Sequence, residues 1–588
     1  MKEIYEIVLS YPKLKDRVRG KLEEQAKVVK IVDEIKAQFS EKAARSLVRF
    51  IDTTFIHLYE GINIDTVIDY DLSLLVSDNH VVLVPNHQSH ADYVALNYII
   101  YKKFKFPVYV AGGINLNIPL LGKLFRWCGC FFIRRSFGSD ILYKLTLEAY
   151  LYYLLFKGHP IEFFFEGGRS RSGKLMSPRY GLYQMLLEAY QALPGSNKKP
   201  LKFIPVSIVH EYVPETSSLA RELDGAKKHK ESLLRLFKIF KIFAYRMGSV
   251  HIRLGRPVDP PPYLENSRKN IQTLAFSCFR EVGNNILVTP SSLLALIMLD
   301  EPTGALKWDE IFAKAKSIVH YCEAFNIPVV EALREAKLER TLEDSIDLFL
   351  NNKKFDVIGE ENLGHVFYAV NVNCRKEMLY FKNSILHHFL TPWILNIAWI
   401  NLFNGSVTDV SELKRLLLSQ RKHMKYEFYL PTVREFVLEA KALIEWCTGK
   451  ILTSYDDVLD LSARDFYSVI MKIGIFSKSM MYIHETYYIS ALTIKALHSE
   501  MAEFQLEDYW KKSKEVYNWQ REINRIITFS ESFSMPVLKN SMQYFTHQKY
   551  LVVDNGVYRI KDTEVFDTML LSWENLLLDQ LSFNIRGV

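Results

Sequence analysis

Six short apolar runs between residues 81 and 255 constrain the fold of this chain more than any other feature. They are VVLVP (81–85), FPVYVAG (106–112), CFFIRR (130–135), IEFFFEG (161–167), KFIPVSIV (202–209) and SVHIRLG (249–255), with helical patterns between most of them. Apolar runs of this length predict buried strands, and strands that alternate with helices predict an α/β layer structure. We therefore expect one α/β domain in this part of the chain.

Helical patterns flank the α/β region on both sides. Residues 12–60 place apolar side chains at helical spacing, which favours helices packed on a domain over helices lying in a membrane. The run GRPVDPPPYLENS (255–267) ends the strand pattern with four prolines, and helical periodicity then dominates to about residue 530. The predicted organisation is an N-terminal helical segment at 1–60, an α/β domain at 61–265 and a mainly helical domain at 266–588.

Two segments of the C-terminal region carry more specific signals. The charge-free run from Asn383 to Thr408 has a dense apolar part only around 389–403, and spanning a bilayer needs about 20 apolar residues. We therefore predict a buried helix there and no transmembrane helix. The segment at 534–560 predicts a helix followed by a hairpin that turns at Asp554–Asn555–Gly556.

The composition excludes several classes of site and of location. The six cysteines form no CxxC pair and lie near no histidine at metal-ligand spacing, so neither a disulfide framework nor a metal site is predicted. The amino terminus lacks the apolar stretch and cleavage site of a secretory signal, so we expect the protein to stay in the cytoplasm. The net charge of +7 is compatible with an anionic membrane surface, a phosphorylated substrate or nucleic acid.

The motif VVLVPNHQSHAD places His87 at the carboxyl end of a predicted strand and Asp92 at the start of the next helix. Catalytic groups gather at that edge of α/β sheets. A histidine there could take a proton from a hydroxyl near neutral pH, with the carboxylate fixing its tautomer. The alternative is structural, because Ser89 to Asp92 also has the form of a capping box. Both interpretations stay open on this motif alone.

Two basic motifs follow. In FFIRRSFGSDILYK, the residues Arg134 and Arg135 end a strand, where they could form surface ion pairs or hold a phosphate. In FFFEGGRSRSGKL, a strand is followed by Glu166, Gly167, Arg169 and Arg171, a composition typical of a phosphate-binding turn. Nine basic and four acidic residues between 126 and 180 account for five of the seven net positive charges.

Other catalytic classes fit the sequence less well. Gly168 to Lys174 has the glycine and lysine spacing of a P-loop, but Leu175 stands where that motif needs Ser or Thr, and Pro178 prevents the helix that should follow. The sequence contains neither HExxH nor GxSxG. The absence of an evident nucleophile favours direct attack by an acceptor hydroxyl.

Taken together and in order, four blocks resemble those of the glycerolipid acyltransferase superfamily. The blocks are NHQSHAD, GINLNIPLLGKLFRWCGCFFIRRSF, FFFEGGRSRSGKL and FIPVSIVHEYVPE. Within the superfamily, AGGINLN (111–117) and LARELDGAKKHKESL (219–233) resemble the PlsB-type bacterial glycerol-3-phosphate acyltransferases. The resemblance extends over most of the chain, although a long amino-terminal extension of larger members is not seen. It implies a mixed sheet flanked by helices, preceded by N-terminal helices and followed by a mainly helical domain.

The resemblance also implies roles for individual residues. His87 and Asp92 would be the catalytic pair, and Pro205 would shape the site or contact the acyl donor. The remaining residues would bind glycerol 3-phosphate: Arg134, Arg135, Glu166, Gly167, Arg169 and Arg171.

By the same resemblance, the expected activity is transfer of a fatty acyl group to the 1-hydroxyl of glycerol 3-phosphate, the first step of phospholipid synthesis. The donor would be acyl-CoA or acyl carrier protein, with no cofactor and no metal, at the phospholipid surface of the cytoplasmic face of the inner membrane. The alternatives are dihydroxyacetone phosphate or lysophosphatidate as acceptor, or a non-catalytic protein that binds lipid or nucleic acid. No motif for reading nucleic acid is present, so we expect no nucleic-acid partner.

Overall fold

The computed structural model describes residues 2–54, 59–134, 139–223, 225, 247–261, 268–301, 303–359, 366–528 and 530–585. They form two compact units. The first comprises Met1–Ser170, Leu175–Pro214 and His229–Leu287, and the second comprises Arg171–Lys174, Glu215–Lys228 and Val288–Val588. The predicted domain boundaries at 60/61 and 265/266 stay a prediction. The contacts place the N-terminal helices in the same unit as the α/β region.

A seven-stranded sheet forms the centre of the first unit. Its strands are β1 (Gly61–Thr66), β2 (His80–Pro85), β3 (Tyr109–Gly113), β4 (Cys130–Ile133), β5 (Ile161–Glu162), β6 (Leu201–His210) and β7 (Ser249–Leu254), in the order β1-β7-β6-β2-β5-β3-β4. Neighbouring strands run parallel except for β6 and β7, which are antiparallel. The prediction of a mixed sheet flanked by helices is therefore confirmed.

The strands differ from the prediction in three places. Strand β1 was not predicted, because its short GINIDT pattern belongs to a half-exposed edge strand, which within the described residues pairs with β7 alone. The run IEFFFEG (161–167) was expected to be one strand, but the strand that it forms, β5, ends at Glu162. Beyond that end, the backbone N–H of Phe163 still donates to Leu83 O at 3.1 Å. Strand β4 ends at Ile133, before the two arginines.

Helices cover the sheet of the first unit: α1 (Lys2–Ser10), α2 (Pro12–Val18), α3 (Leu22–Ile35), α4 (Glu41–Thr54), α5 (Leu72–Asp78), α6 (Asp92–Phe104), α7 (Leu121–Trp127), α8 (Ile141–Phe156), α9 (Gly181–Gln191) and α11 (Arg268–Asn284). The first three pack against α8, where the Tyr11 hydroxyl donates to Glu148. The apolar face of α3, including Val28, Val32 and Ile35, is buried. The N-terminal helices thus add to the core of this unit.

The second unit is mainly helical, as predicted. Its helices are α10 (Thr216–Leu223), α12 (Pro290–Leu299), α13 (Trp308–Ala324), α14 (Leu338–Asn351), α15 (Arg375–Ile385), α16 (Leu390–Phe403), α17 (Val410–Met424), α18 (Val433–Thr448), α19 (Ala463–Ile473), α20 (Met481–Met501), α21 (Leu506–Glu522), α22 (Met535–His547) and α23 (Thr563–Ile585). Two three-stranded sheets accompany them, built from β8 (Ala305–Leu306), β9 (Phe355–Ile358), β10 (Phe367–Val370), β11 (Glu503–Gln505), β12 (Leu551–Asp554) and β13 (Val557–Ile560).

Two local predictions for the second unit are confirmed. The apolar segment around 389–403 forms α16, and ten of its fourteen residues are buried. The predicted hairpin forms from β12 and β13, and Asn555 and Gly556 at its turn have φ angles of 48° and 83°. A two-residue turn with both φ angles positive matches the twist of the strands that it joins. None of the helices in the described ranges is both long enough and apolar enough to cross a bilayer.

Candidate active site

The loop that carries His87 is fixed to the sheet by the residue before it. Asn86 follows the last residue of β2, and its side chain makes two hydrogen bonds with the backbone of Ile208 on β6: Nδ2 donates to the carbonyl oxygen at 3.0 Å, and Oδ1 accepts from the N–H at 2.7 Å. Because β2 and β6 are paired strands, these two hydrogen bonds fix the position at which the chain leaves the sheet after β2. His87 therefore starts from a defined position at the carboxyl end of β2.

His87 and Asp92 form a buried pair. The distance between His87 Nδ1 and Asp92 Oδ2 is 2.8 Å, and the exposed fractions of their side chains are 3% and 0%. The same carboxylate oxygen accepts the backbone N–H groups of Gln88 and Ser89 at 2.7 and 2.9 Å. Asp92 thus organises the turn before α6 and also pairs with the imidazole. The capping and catalytic interpretations of the sequence are compatible with each other.

Aromatic rings hold the imidazole of His87 in place. Its centroid lies 4.2 Å from the ring of Phe164 and 4.9 Å from that of Tyr93, which meets it edge-on at 79°. Since Nδ1 is directed at Asp92, the ring nitrogen that could exchange a proton with a substrate is Nε2. The arrangement has the base, the orienting carboxylate and the fixed ring that general-base catalysis requires.

Hydrogen bonding keeps Asp92 ionised despite its burial. Burial alone would raise the pKa of this carboxyl, but the hydrogen bonds from His210 and His87 outweigh it and hold the pKa well below its usual range. A carboxylate that stays charged can stabilise an imidazolium at His87.

His210 is a residue of this site that the sequence did not indicate. It is the last residue of β6, and its Nε2 lies 2.6 Å from Asp92 Oδ1. Its position at the carboxyl end of a predicted strand was an available signal, because parallel strands bring such ends to one edge. The pairing of β6 with β2, which places His210 near Asp92, could not be read from the sequence.

Glu166 lies beside His87 but has both carboxylate oxygens engaged by the backbone. Oε2 accepts from the N–H of His87 and Oε1 from the N–H of Met176, both at 2.7 Å. Burial raises the pKa of Glu166 to about 8, and the two donors act in the opposite direction. These contacts fit a side chain that anchors two loops, and the predicted contact with glycerol 3-phosphate stays a prediction.

The other residues of the motif FFFEGGRSRSGKL are divided between the two units. Gly167 has a φ angle of 70° and turns the chain after Glu166, and Ser170 N donates to His87 O at 2.8 Å. Arg169 belongs to the first unit and acts electrostatically on the Tyr93 hydroxyl, whose pKa burial raises. Arg171 belongs to the second unit, where its Nε lies 3.0 Å from a carboxylate oxygen of Glu222.

Arg134 occupies an ion pair. Its Nε and Nη2 donate to the two carboxylate oxygens of Glu34 at 2.7 and 2.6 Å, Nη1 lies 3.2 Å from Asp140, and the guanidinium lies 4.3 Å from the ring centroid of Tyr143. This contact corresponds to the surface ion-pair alternative that the sequence left open, and the predicted phosphate contact of Arg134 stays a prediction. Arg135 lies outside the described residues, and its role stays a prediction.

Pro205 lies in the interior of β6, opposite Val84 of β2. Its carbonyl oxygen accepts from the N–H of Gly255 at 2.8 Å. Proline removes a backbone donor and is rare in central strands. It lies one strand away from the end of β2 that carries His87, and the predicted site-shaping role stays a prediction.

Comparisons with known proteins agree with the motifs. Residues 66–209 match the family model described as "Acyltransferase", and residues 219–554, more than half of the chain, match the one described as "Glycerol-3-phosphate acyltransferase C-terminal region". Similar curated proteins include a glycerol-3-phosphate acyltransferase of Pseudoalteromonas translucida, 30% identical over 74% of this chain and 55% of its own length. One of Glaesserella parasuis is 29% identical over 81% of this chain and 59% of its own length. The chain thus spans little more than half the length of these relatives.

Among solved structures, the chain is similar to the 1-acyl-sn-glycerophosphate acyltransferase PlsC of Thermotoga maritima. The identity is 19% and the TM-score is 0.25, over 41% of this chain and 79% of that one.

Proposed function

Because the chain belongs to the glycerol-3-phosphate acyltransferase family, we propose that it transfers a fatty acyl group from a thioester to the 1-hydroxyl of glycerol 3-phosphate. The product would be 1-acyl-glycerol 3-phosphate, a lysophosphatidate. The observation that carries the proposal is the buried pair of His87 Nδ1 and Asp92 Oδ2, 2.8 Å apart at the carboxyl end of β2.

The proposed reaction is a direct transfer. His87 Nε2 takes the proton of the substrate hydroxyl as its oxygen attacks the thioester carbonyl carbon, and Asp92 stabilises the imidazolium that results. The tetrahedral intermediate collapses with cleavage of the carbon–sulfur bond, and the imidazolium returns its proton to the departing thiolate. No acyl-enzyme forms in this scheme, because the hydroxyl oxygen of the acceptor itself attacks the thioester carbonyl.

Positioning of the acceptor would contribute a large part of the rate. Holding a hydroxyl next to a bound thioester can supply about 7–11 kcal/mol of the barrier. In the first unit, Arg169 of the motif FFFEGGRSRSGKL is our candidate for binding the phosphate, because a guanidinium group matches phosphate oxygens in pairs. The expected role of Arg171 stays a prediction. The anchored backbone between Glu166 and Met176 would keep the start of this motif in register with His87.

The proposed setting is a phospholipid surface. The donor would be acyl-CoA or acyl carrier protein, and the protein would act as a peripheral protein on the cytoplasmic face of the bacterial inner membrane. The basic excess between residues 126 and 180 is suited to anionic lipids as well as to a phosphorylated acceptor. A second acceptor, such as dihydroxyacetone phosphate or lysophosphatidate, is the alternative within the same chemistry.

The test is turnover of labelled glycerol 3-phosphate by the purified full chain, with each donor, with and without vesicles of anionic phospholipid. We expect product from at least one donor, and we expect His87→Ala to reduce kcat about 100-fold or more while the variant stays folded and still binds glycerol 3-phosphate. Its thermal stability should fall, because buried Asp92 loses a hydrogen-bond partner. An active His87→Ala variant would overturn the assignment of the base. Turnover of dihydroxyacetone phosphate or lysophosphatidate in place of glycerol 3-phosphate would overturn the acceptor.

The matched control is His80→Ala. His80 is also buried, at 2% exposure, and it begins the strand that His87 follows, but its Nε2 bonds to the backbone carbonyl of Asn197 at 2.9 Å. We expect this variant to retain kcat, so that any loss of activity seen in both variants would point to the sheet and not to the base.

A further inference from the structure

The carboxylate of Asp92 lies between two imidazole rings. Oδ2 faces His87 Nδ1 at 2.8 Å, and Oδ1 faces His210 Nε2 at 2.6 Å. All three side chains are buried, with exposed fractions of 3% or less. Three different elements contribute them: the loop after β2, the first residue of α6 and the last residue of β6. A hydrogen-bonded row that crosses three elements requires the sheet to be fully assembled.

We propose that His210 is a positioning residue of this site: its Nε2–H holds Oδ1 of Asp92 so that Oδ2 stays directed at His87. The inference rests on the proposed function, in which His87 is the base. It assigns a task to a histidine that lies outside the NHQSHAD motif.

The hydrogen bonds of Asp92 explain why His210 matters for orientation. Oδ2 accepts from His87, from the Gln88 N–H and from the Ser89 N–H. Within the described part of the chain, the hydrogen bond of Oδ1 comes from His210. Without that donor, a buried carboxylate oxygen would have to rotate toward another donor or take up a proton, and either change weakens its contact with His87.

The charge of Asp92 gives His210 a second effect. Burial alone would raise the pKa of Asp92, and the hydrogen bond from His210 acts against this. His210 therefore helps to preserve the negative charge that stabilises an imidazolium at His87 during the reaction. Among the described residues, Glu162, Glu166 and Tyr93 also interact electrostatically with Asp92, and none of them is changed by replacing His210.

Three variants separate positioning from shape. His210→Gln keeps an amide N–H the same number of bonds from the backbone as Nε2. His210→Asn carries that amide one bond shorter, and His210→Leu has similar bulk and no donor. We expect kcat to fall about 10- to 100-fold in the Leu and Asn variants, by analogy with groups that orient a ligand from outside the site. His210→Gln should recover most of this loss.

The effect should fall on kcat and on its pH dependence. We expect the KM for glycerol 3-phosphate to stay within about twofold of wild type, because the interaction supports the base and not the phosphate. The acid limb of the pH profile of kcat/KM should move to lower pH in the Leu variant, because an imidazolium at His87 loses support from a carboxylate that has rotated or taken up a proton. His80→Leu, which removes another buried histidine, should leave kcat and the acid limb unchanged.

A spectroscopic measurement gives a readout independent of turnover. In protein labelled with ¹⁵N-histidine, the two imidazole N–H protons directed at Asp92 should resonate downfield of the amides. We expect His87→Ala to remove one signal and His210→Gln to remove the other, with the remaining signal shifted in each case. A wild-type chain that shows both signals but does not acylate glycerol 3-phosphate would refute the proposed function and leave the row of three side chains intact.

Several outcomes would overturn the positioning role. These are a Leu or Asn variant with wild-type kcat and acid limb, a Gln variant as impaired as the Asn variant, or a loss confined to KM. Should the Leu variant not fold, the comparison of Gln with Asn still decides, because the two differ by a single methylene.

Discussion

Replacing Gly173 by alanine should lower the unfolding free energy of the second unit, by an amount that can be estimated from the structure. Gly173 has a φ angle of 84°, and a Cβ placed on it would lie 1.9 Å from the carbonyl oxygen of Tyr380 and 2.8 Å from its carbonyl carbon. Real Cβ contacts are not shorter than 3.0 Å, so the two backbones must separate by at least 3.0 − 1.9 = 1.1 Å. Both neighbours of Gly173 are held in the same unit, which limits how the chain can yield.

The magnitude follows from what the separation disturbs. The left-handed backbone of an alanine costs about 1–2 kcal/mol. Moving the chain by this distance breaks the hydrogen bond from Asn383 Nδ2 to Ser172 O, now 2.8 Å, which adds about 0.5–1.5 kcal/mol. We therefore expect a loss of about 1.5–3.5 kcal/mol of unfolding free energy. Any displacement of Lys174 from Glu427, its buried partner at 2.6 Å, would add to this loss.

Denaturant unfolding followed by tryptophan fluorescence is a suitable assay, because seven of the eight tryptophans lie in the second unit. The matched control is Gly449→Ala, at a glycine of the same unit with a φ angle of 72° and no atom within 4 Å of the added Cβ. It should show the backbone cost alone, about 1–2 kcal/mol. If Gly173→Ala proves no more destabilising than Gly449→Ala, the close approach to Tyr380 is not a constraint on this chain.

Two further predictions concern an ion pair and a pair of buried histidines. A double-mutant cycle of Arg134→Met and Glu34→Gln should give a coupling energy of about 0.2–1 kcal/mol in unfolding free energy, because both side chains are partly exposed. If the Arg134 variant alone raised the KM for glycerol 3-phosphate, Arg134 would instead contact the phosphate. His423 and His484 lie in contact, with their Nε2 atoms 3.1 Å apart, and burial lowers the pKa of both, that of His423 to about 3. Each is neutral when folded and takes a proton when unfolded below about pH 6.5, so each should remove about 1.4 kcal/mol of stability per pH unit as the pH falls below that value. His423→Gln should flatten this dependence in denaturant titrations, whereas replacing the exposed His320 should not; an unchanged slope in His423→Gln would refute the explanation.

The sheet could be predicted because its strands are buried and therefore almost continuously apolar. All six apolar runs contribute a strand, and the carboxyl end of β2 carries His87 as the motif indicated. Strand β1 was missed because an edge strand needs fewer apolar residues and is specified by its pairing with β7. Its paired residues lie 188 positions apart in the sequence, as Thr66 and Leu254 do. Pairing across such distances is not encoded in a local pattern.

The site was predictable to the extent that it is local. His87 and Asp92 are five residues apart, so one motif suggested their pairing beside a capping alternative, and the family resemblance then favoured the catalytic pair. The partner of Asp92 on β6 is 118 residues away, so only the folded sheet reveals it. The glycine- and arginine-rich composition after Glu166 predicted a phosphate-binding turn, but it could not show that the carboxylate of Glu166 binds backbone N–H groups.

The basic motifs show why residue type alone does not assign a role. Arg134 has the chemistry to bind a phosphate, and the carboxylate that occupies it, Glu34, lies on a helix 100 residues earlier. Arg171 has a carboxylate neighbour of its own in Glu222. A guanidinium near the carboxyl end of a strand therefore indicates an anionic partner, and the identity of that partner depends on tertiary contacts.

The interleaved course of the chain has a consequence for how such a protein can change over time. The chain leaves the first unit after Ser170, returns to it after Lys174, leaves it again after Pro214 and enters the second unit for the last time after Leu287. No single breakpoint divides the gene into two parts that each encode a whole unit, so recombination between homologues cannot exchange one unit cleanly for another. Substitutions in the four residues from Arg171 to Lys174 are constrained by the packing of the second unit, through neighbours such as Glu427, although the segment lies in sequence between two parts of the first unit.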